Sequence, residues 1–317
     1  MDSKSLVIHG DLMDYKSKDS ATCKFCAPIF LTPSFGIFLD GNENLLPKDG
    51  SLPKRRNGTL TFVEYKEQIY GITCRHVTDI LESENKKIRD EYLLKYGINE
   101  SLIQGDLFYF FIPHGNNQIH INSRFHPVSK DSLSNKYPDV SIAKIKPDIL
   151  RQIGRRPIPI NENHIILQKD ITEFCGIATG YAEQNRKAIA SSNILNTISI
   201  PCITIYSSFA SLTGNSLILF DELREEPDAD NLSGMSGGPI LWSSRKNWGL
   251  AGIIKEGKDL KKNDLDSIKP TPGIWIEGER IVNQKLIEWI KELPKAENYL
   301  PNRSKRISIP TNYNPKR

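Results

Sequence analysis

Asn231-Leu232-Ser233-Gly234-Met235-Ser236-Gly237-Gly238-Pro239-Ile240 is the stretch on which the reading of this chain turns. Three glycines crowd around one serine, and a proline follows. Glycine at that density marks a backbone bent where a Cβ would clash. Such a bend lifts a hydroxyl out of the chain and aims neighbouring N–H groups at one point. Acyl transfer needs both a nucleophile and donors for the oxygen that becomes charged. A glycine-rich turn with a passing serine has the same spelling, so a base and an orienting acid must be sought elsewhere.

Two stretches upstream offer them. The runs Thr59–Tyr65 and Gln68–Cys74, joined at Lys66-Glu67, predict an antiparallel hairpin. Its second strand runs into Ile72-Thr73-Cys74-Arg75-His76-Val77, which sets a histidine at a strand end. Further on, Asp139-Val140-Ser141-Ile142-Ala143-Lys144-Ile145 puts an acid at the head of a strand. Taken singly, His76 reads as a partly buried histidine and Asp139 as a loop residue capping a strand. Asp148 is the other acid in reach of this argument, but Pro147 precedes it and no clean alternation follows.

The rest of the chain is mostly short apolar runs between turn signals. Phe35–Asp40, Asp106–Ile112, Gln118–Asn122, Ile171–Thr179, Thr197–Tyr206, Ser216–Phe220, Pro239–Trp242 and Gly249–Ile254 all read as strands. That pattern predicts an all-β architecture. Residues 79–97, rich in Glu, Lys and Leu, predict an inserted and mostly solvated helix. One amphipathic helix is expected over Glu279–Leu293, with Val282, Leu286, Trp289, Ile290 and Leu293 on one face and Pro294 as its stop. Pro147, Pro157 and Pro159 make 147–165 the expected linker. The expected division is an arm over 1–28, a first unit over 29–150, a second over 151–294, and a basic tail over 295–317.

Composition excludes several classes. The chain has 317 residues, 38% apolar and 25% charged, which is a globular rather than a disordered balance. A net charge of +4 is too mild to argue for a nucleic-acid partner. The N-terminus lacks the apolar core of a signal peptide, and no apolar run is long enough to span a bilayer, so a cytoplasmic location is expected and no membrane partner. Of the five cysteines, Cys74, Cys175 and Cys202 lie in apolar, strand-like contexts and are expected as buried free thiols. Cys23 and Cys26 have zinc-like spacing, but no second pair follows, so they too are expected as thiols. His114, His120 and His126 are evenly spaced, yet no carboxylate or cysteine completes a ligand set. No metal and no cofactor is expected.

His76, Asp139 and Ser236 stand in the order in which the trypsin-like (chymotrypsin-fold) serine peptidases carry their triad, and the sequence resembles that family. Thr73-Cys74-Arg75-His76-Val77 is similar to the family's histidine motif, Asp139-Val140-Ser141-Ile142 to its aspartate motif, and Gly234-Met235-Ser236-Gly237-Gly238-Pro239 to its serine motif. Each departs at one position, none at the reacting residue, and the last looks like non-secreted microbial members. The resemblance spans roughly 30–292. It implies two six-stranded antiparallel β-barrels with a C-terminal α-helix and a site in the cleft between the barrels. It implies His76 as general base, Asp139 as its orienting acid, Ser236 as nucleophile, and the N–H groups of Gly234 and Ser236 as the oxyanion hole.

The same resemblance implies a protein or peptide substrate. Asp230, six residues before Ser236, would sit on a pocket floor and favour Arg or Lys. Asp230 is equally one more charge in an acidic loop. Lys255, Glu256 and Gly257 would line the pocket wall, and Lys255 would then be placed to neutralise Asp230. Met235 occupies the position where secreted members carry the Asp that pairs with a released N-terminus, which implies activation without N-terminal cleavage. A catalytically silent peptide-binding module on the same scaffold, and a peptidase held inactive until a regulatory protein partner engages loops at 42–57 and 79–105, are the alternatives.

Overall fold

The computed structural model describes residues 10–12, 21–33, 57–79, 82–83, 86, 90, 108–114, 117–121, 123–130, 137–160, 174–183, 187–189, 197–222, 232–260 and 273–294. The strand expected over 35–40, nearly all of the helix expected over 79–97, the acidic loop with Asp230 and the tail lie outside them.

The hairpin forms as expected. Strand β2 (Gly58–Tyr65) pairs antiparallel with β3 (Gln68–Thr73), and Tyr65 faces Gln68 across the turn. Lys66 and Glu67 both take positive φ, 49° and 63°, as a two-residue turn matching the twist of the strands requires. Around the hairpin an eight-stranded sheet curls into a half-barrel in the order β5-β4-β1-β2-β3-β7-β6, with β8 (Ile158–Pro159) parallel to β2. Strand β4 is Phe108–His114, β5 Asn117–Ile121, β6 His126–Pro127 and β7 Ser141–Ile145. Strand β1 (Cys26–Pro33) turns the corner of this sheet: Cys26–Ile29 pair with β2, and Phe30–Pro33 pair with β4.

The second unit is a closed six-stranded barrel in the order β12-β13-β16-β15-β14-β9. Its strands are β9 (Cys175–Gly180), β12 (Ile203–Thr213), β13 (Ser216–Glu222), β14 (Pro239–Ser243), β15 (Trp248–Leu260) and β16 (Gly273–Arg280). A separate two-stranded ribbon joins β10 (Lys187–Ile189) to β11 (Thr197–Ser199). The chain is therefore all-β, with an eight-stranded half-barrel in place of the expected first six-stranded barrel, a closed six-stranded barrel and a C-terminal helix, an arrangement consistent with a two-barrel chymotrypsin-like fold. Inside the closed barrel Phe209, Leu217, Leu219, Ile240, Ala251 and Ile276 pack with Met235. A second core runs without a break from Leu60, Phe62 and Ile72 to Leu241, Leu250 and Ile253, and on to the C-terminal helix.

Four expectations are corrected. The proline segment is not a bare linker: Pro147–Ile153 forms helix α1, with proline in its first turn where a missing N–H costs nothing, and Gly154 ends it at φ 64°. The C-terminal helix α2 begins at Asn283, not at Glu279, because Gly273–Glu279 pairs with β13 and Arg280 with β15. Cys202 is not a free thiol but is joined to Cys23 across 179 residues, while Cys26, Cys74 and Cys175 are free and buried. Residues 21–25, read as part of a polar arm, form a 3-10 turn with Ala21, Thr22, Cys23 and Phe25 buried. Among the described residues no helix is long and apolar enough to cross a membrane.

The disulfide closes a loop of more than half the chain, and loop closure of that size removes much of the unfolded state's freedom. Thermal unfolding with reductant is expected at a lower temperature than without it, with a loss of about 2–5 kcal/mol. Cys23→Ser should unfold at that lower temperature in both conditions, and a melt of the wild-type protein indifferent to reductant would contradict this.

Candidate active site

The serine turn is fixed by its own hydrogen bonds. Gly234 and Gly237 have φ of 94° and 90°, a region that side chains strongly disfavour. Space forbids side chains there as well: a Cβ on Gly237 would lie 2.2 Å from Thr59 O, and one on Gly234 2.7 Å from Tyr181 O.

The peptide groups of the turn can be accounted for one by one. Ser233 O accepts from Glu183 N–H at 2.7 Å. Gly234 O accepts from the Thr59 hydroxyl at 2.9 Å. Met235 O accepts from Gly238 N–H at 2.9 Å, and Ser236 O from Thr59 N–H at 2.9 Å. Gly237 O accepts from the Thr61 hydroxyl at 2.7 Å. On the donor side Met235 N–H goes to Leu232 O and Gly237 N–H to Ile254 O. Among the described residues, Gly234 and Ser236 donate no backbone hydrogen bond from their N–H groups.

Strand β2 supplies most of this support. Thr59 and Thr61, two apart on one strand, face the turn together, as period-two alternation requires. Thr59 Oγ1 also accepts from Tyr181 N–H at 3.1 Å, and Asn57 Nδ2 donates to Tyr181 O at 2.8 Å. Neither threonine nor Asn57 stands out in the sequence, where β2 reads only as a buried strand. Met235 is buried to 1% exposure in the closed barrel's core, so the turn is also held from below by an apolar side chain.

His76 follows β3 at the start of a short helical turn, and Asp139 precedes β7, which pairs with β3. The pairing brings them together across 63 residues. Asp139 Oδ1 accepts from the His76 backbone N–H at 2.9 Å, and Oδ2 lies 2.5 Å from His76 Nδ1. A carboxylate against Nδ1 requires the proton on that nitrogen, leaving Nε2 as the free base. Burial would raise the Asp139 carboxyl, but the hydrogen bonds and charge of His76, helped by Lys255, hold it below the ordinary carboxylate range.

The serine turn and the histidine segment hang on consecutive carbonyls of β15. The Cys74 thiol donates to Ile254 O at 3.0 Å, and the Ser236 hydroxyl donates to Lys255 O at 3.0 Å. The serine hydroxyl bonds to that carbonyl and, among the described residues, makes no hydrogen bond to His76. A bulge explains the geometry: the register of β15 against β16 shifts between Ile254 and Glu256, which leaves Lys255 as the extra residue.

The residues expected around a substrate pocket are placed unevenly. Lys255 Nζ pairs with Glu277 Oε1 at 3.2 Å, so its described partner is not Asp230. Glu256 is exposed, and Gly257 packs on Leu232, whose Cδ1 would lie 2.8 Å from a Cβ there. Asp230 lies outside the described residues. Asp148 pairs instead with Arg151 on the exposed face of α1, with no part in the site. His114, His120 and His126 fall on three different strands. Among the described residues, Cys74, His76 and Asp139 have ligand-type atoms within 4.8 Å of one another. Burial, reinforced by the charge of Asp139, pushes the Cys74 thiol far up, and His76 Nδ1 is already engaged, so these atoms are poorly suited to a metal.

No protein-family model matches the sequence, and no curated protein is similar to it. Solved structures to which the chain is similar, at low identity, include three serine-type peptidases or endopeptidases by their descriptions. A thermostable serine protease, AL20, from an extremophilic microorganism is 11% identical, with a TM-score of 0.39 over 84% of this chain and 95% of that one. A Glu endopeptidase in complex with MPD is 12% identical, with a TM-score of 0.37 over 84% and 88%. The serine protease domain of the Sesbania mosaic virus polyprotein is 12% identical, with a TM-score of 0.34 over 85% and 93%. At these values the likeness assigns no activity to this chain.

Two outcomes are expected. Thr59→Val removes the hydroxyl while keeping the volume, and leaves Gly234 O and Tyr181 N–H without it. Denaturant unfolding should show a loss of about 1–3 kcal/mol. Because the Asp139 carboxyl is held low in the folded protein, its contribution to stability is full above the unfolded carboxylate range. It fades as pH falls through the lowered folded value. Unfolding midpoints measured against pH should therefore decline less steeply in acid for Asp139→Asn than for the wild-type protein.

Proposed function

We propose that this protein is a serine endopeptidase that hydrolyses peptide bonds through an acyl-enzyme intermediate. The observation that carries the reading is the meeting of His76 and Asp139, together with a serine turn in which, of residues 234–238, Gly234 and Ser236 make no backbone N–H hydrogen bond among the described residues.

The chemistry follows from that arrangement. A rotation about χ1 takes the Ser236 hydroxyl from Lys255 O toward His76 Nε2. His76 accepts its proton as the serine oxygen attacks the substrate carbonyl. Asp139 holds the Nδ1 proton and stabilises the imidazolium without becoming protonated. The carbonyl oxygen, now negative, is met by the N–H groups of Gly234 and Ser236; one such donor is typically worth about 3–4 kcal/mol of barrier. The C–N bond breaks as His76 returns the proton to the leaving amine. Water then repeats the sequence on the acyl-enzyme and frees Ser236.

A second reading, a silent peptide-binding module, is favoured by the one bond that points away from catalysis, Ser236 Oγ to Lys255 O. A fluorophosphonate probe separates the two. The peptidase reading expects the probe to label Ser236, and Ser236→Ala to abolish labelling and lower peptide cleavage by several orders of magnitude. Cleavage should fall in acid as the imidazole protonates. A wild-type protein that never reacts with the probe favours the silent module. We extend the proposal to a preference for Arg or Lys before the scissile bond, set by Asp230. In a positional peptide library Asp230→Asn should lose that preference while still cutting, and an unchanged profile would remove Asp230 from the pocket.

A further inference from the structure

Asn57 stands immediately before β2 and is 6% exposed. Its Nδ2 donates to Tyr181 O at 2.8 Å. That bond fixes which way the amide lies, because turned over it would set two oxygens against each other. In this orientation Asn57 Oδ1 is, among the described residues, a buried side-chain oxygen with no hydrogen-bond partner. A buried acceptor left unpaired is costly, and in a folded protein it calls for a reason.

The reason lies in what the Nδ2 donor holds. Asn57 and Thr59, two apart, take both polar groups of one peptide-chain residue: Thr59 Oγ1 accepts from Tyr181 N–H, and Asn57 Nδ2 donates to Tyr181 O. Two side chains thus grip Tyr181 as the backbone of a neighbouring strand would. Two residues on, Glu183 N–H donates to Ser233 O at 2.7 Å. Ser233 O and Gly234 N–H belong to one rigid peptide, so that bond sets where the Gly234 N–H points. The same groups close around Gly234. A Cβ there would lie 2.7 Å from Asn57 Nδ2, 2.7 Å from Tyr181 O and 3.0 Å from Glu183 N.

Resting on the peptidase reading, we infer that Asn57 is a positioning residue for the oxyanion donor at Gly234. Its amide holds residues 181–183 against the serine turn from the half-barrel side, and those residues fix the Gly234 peptide. Asn57 does this without touching the reacting atoms. The unpaired Oδ1 accompanies the donor: an amide brings an N–H of fixed direction, and its oxygen comes with it. A misplacement of about 1 Å in a group of this kind is enough to lose about a hundredfold in rate.

Asn57→Leu keeps the size and removes both amide atoms. Tyr181 O then loses its donor, but the unpaired Oδ1 goes too, so one buried acceptor is unpaired either way. The thermal unfolding midpoint is therefore expected close to that of the wild-type protein. The rate of reaction with a fluorophosphonate probe, measured against probe concentration and pH, gives the limiting rate and the half-saturation separately. In Asn57→Leu the limiting rate should fall about tenfold to a hundredfold, with half-saturation and the acid limb set by His76 little changed. Asn57→Ala, which cannot crowd the turn, should lose at least as much rate. By nuclear magnetic resonance, the Glu183 amide should exchange faster with solvent in both variants than in the wild-type protein. A folded variant that keeps the wild-type limiting rate, or a rate loss no larger than the loss of folded protein, would overturn the inference. If the wild-type protein does not react with the probe, the peptidase reading falls. Faster Glu183 exchange in the variants then leaves the hold of Asn57 on the turn standing, and unchanged exchange removes it as well.

Discussion

The Thr59 hydroxyl is bonded on both sides: it donates to Gly234 O and accepts from Tyr181 N–H. One oxygen atom thus ties a strand of the half-barrel to the serine turn and to the end of β9. With the Thr59 N–H on Ser236 O and the Thr61 hydroxyl on Gly237 O, three carbonyls of the turn, those of Gly234, Ser236 and Gly237, are fixed by β2. A peptide group is rigid, so the Glu183 N–H on Ser233 O and the Gly238 N–H on Met235 O set the direction of the Gly234 and Ser236 N–H groups that share those peptide planes. Of residues 234–238, Gly234 and Ser236 make no backbone hydrogen bond through their N–H groups among the described residues. The site is in this sense a property of the junction between the two units.

Some of this was open to a reading of residues. The β2–β3 hairpin is spelled out by apolar runs on either side of two polar residues, and its strand end delivers His76. Asp139 sits at the head of a strand whose alternation is plain. The glycines around Ser236 announce a turn that no side chain would tolerate. Thr59 and Thr61 were hidden because threonine is at home in any buried strand, and nothing local says that its hydroxyl serves a turn 175 residues away. Glu279 was misplaced for a related reason. The residues after it have a helical period, and a glutamate suits the start of a helix. Pairing with Ser216 on one side and Ile253 on the other overrides that preference. The proline segment misled in the opposite sense, since Pro147 opens a helix as readily as it ends one.

Lys255 shows how one irregularity serves several ends. As the extra residue of a bulge it breaks the ladder, which turns its carbonyl toward Ser236 and its ammonium toward Glu277. The burial that would lower its proton affinity is outweighed by Glu277, Glu279 and Asp139, so it remains a firm cation amid acids. Without it, three carboxylates would face one another at the edge of the cleft.

Met235 carries a different consequence. The resemblance to secreted peptidases would put an ion pair beneath the nucleophile, and a pair of that kind can be made, broken or weakened by protons, by salt, or by cutting the chain. A thioether sunk among Phe209, Leu217 and Ile240 has no such handle. It does not titrate, and counter-ions do not screen it. The packing beneath Ser236 is therefore the same in acid and in base, and in low salt and in high.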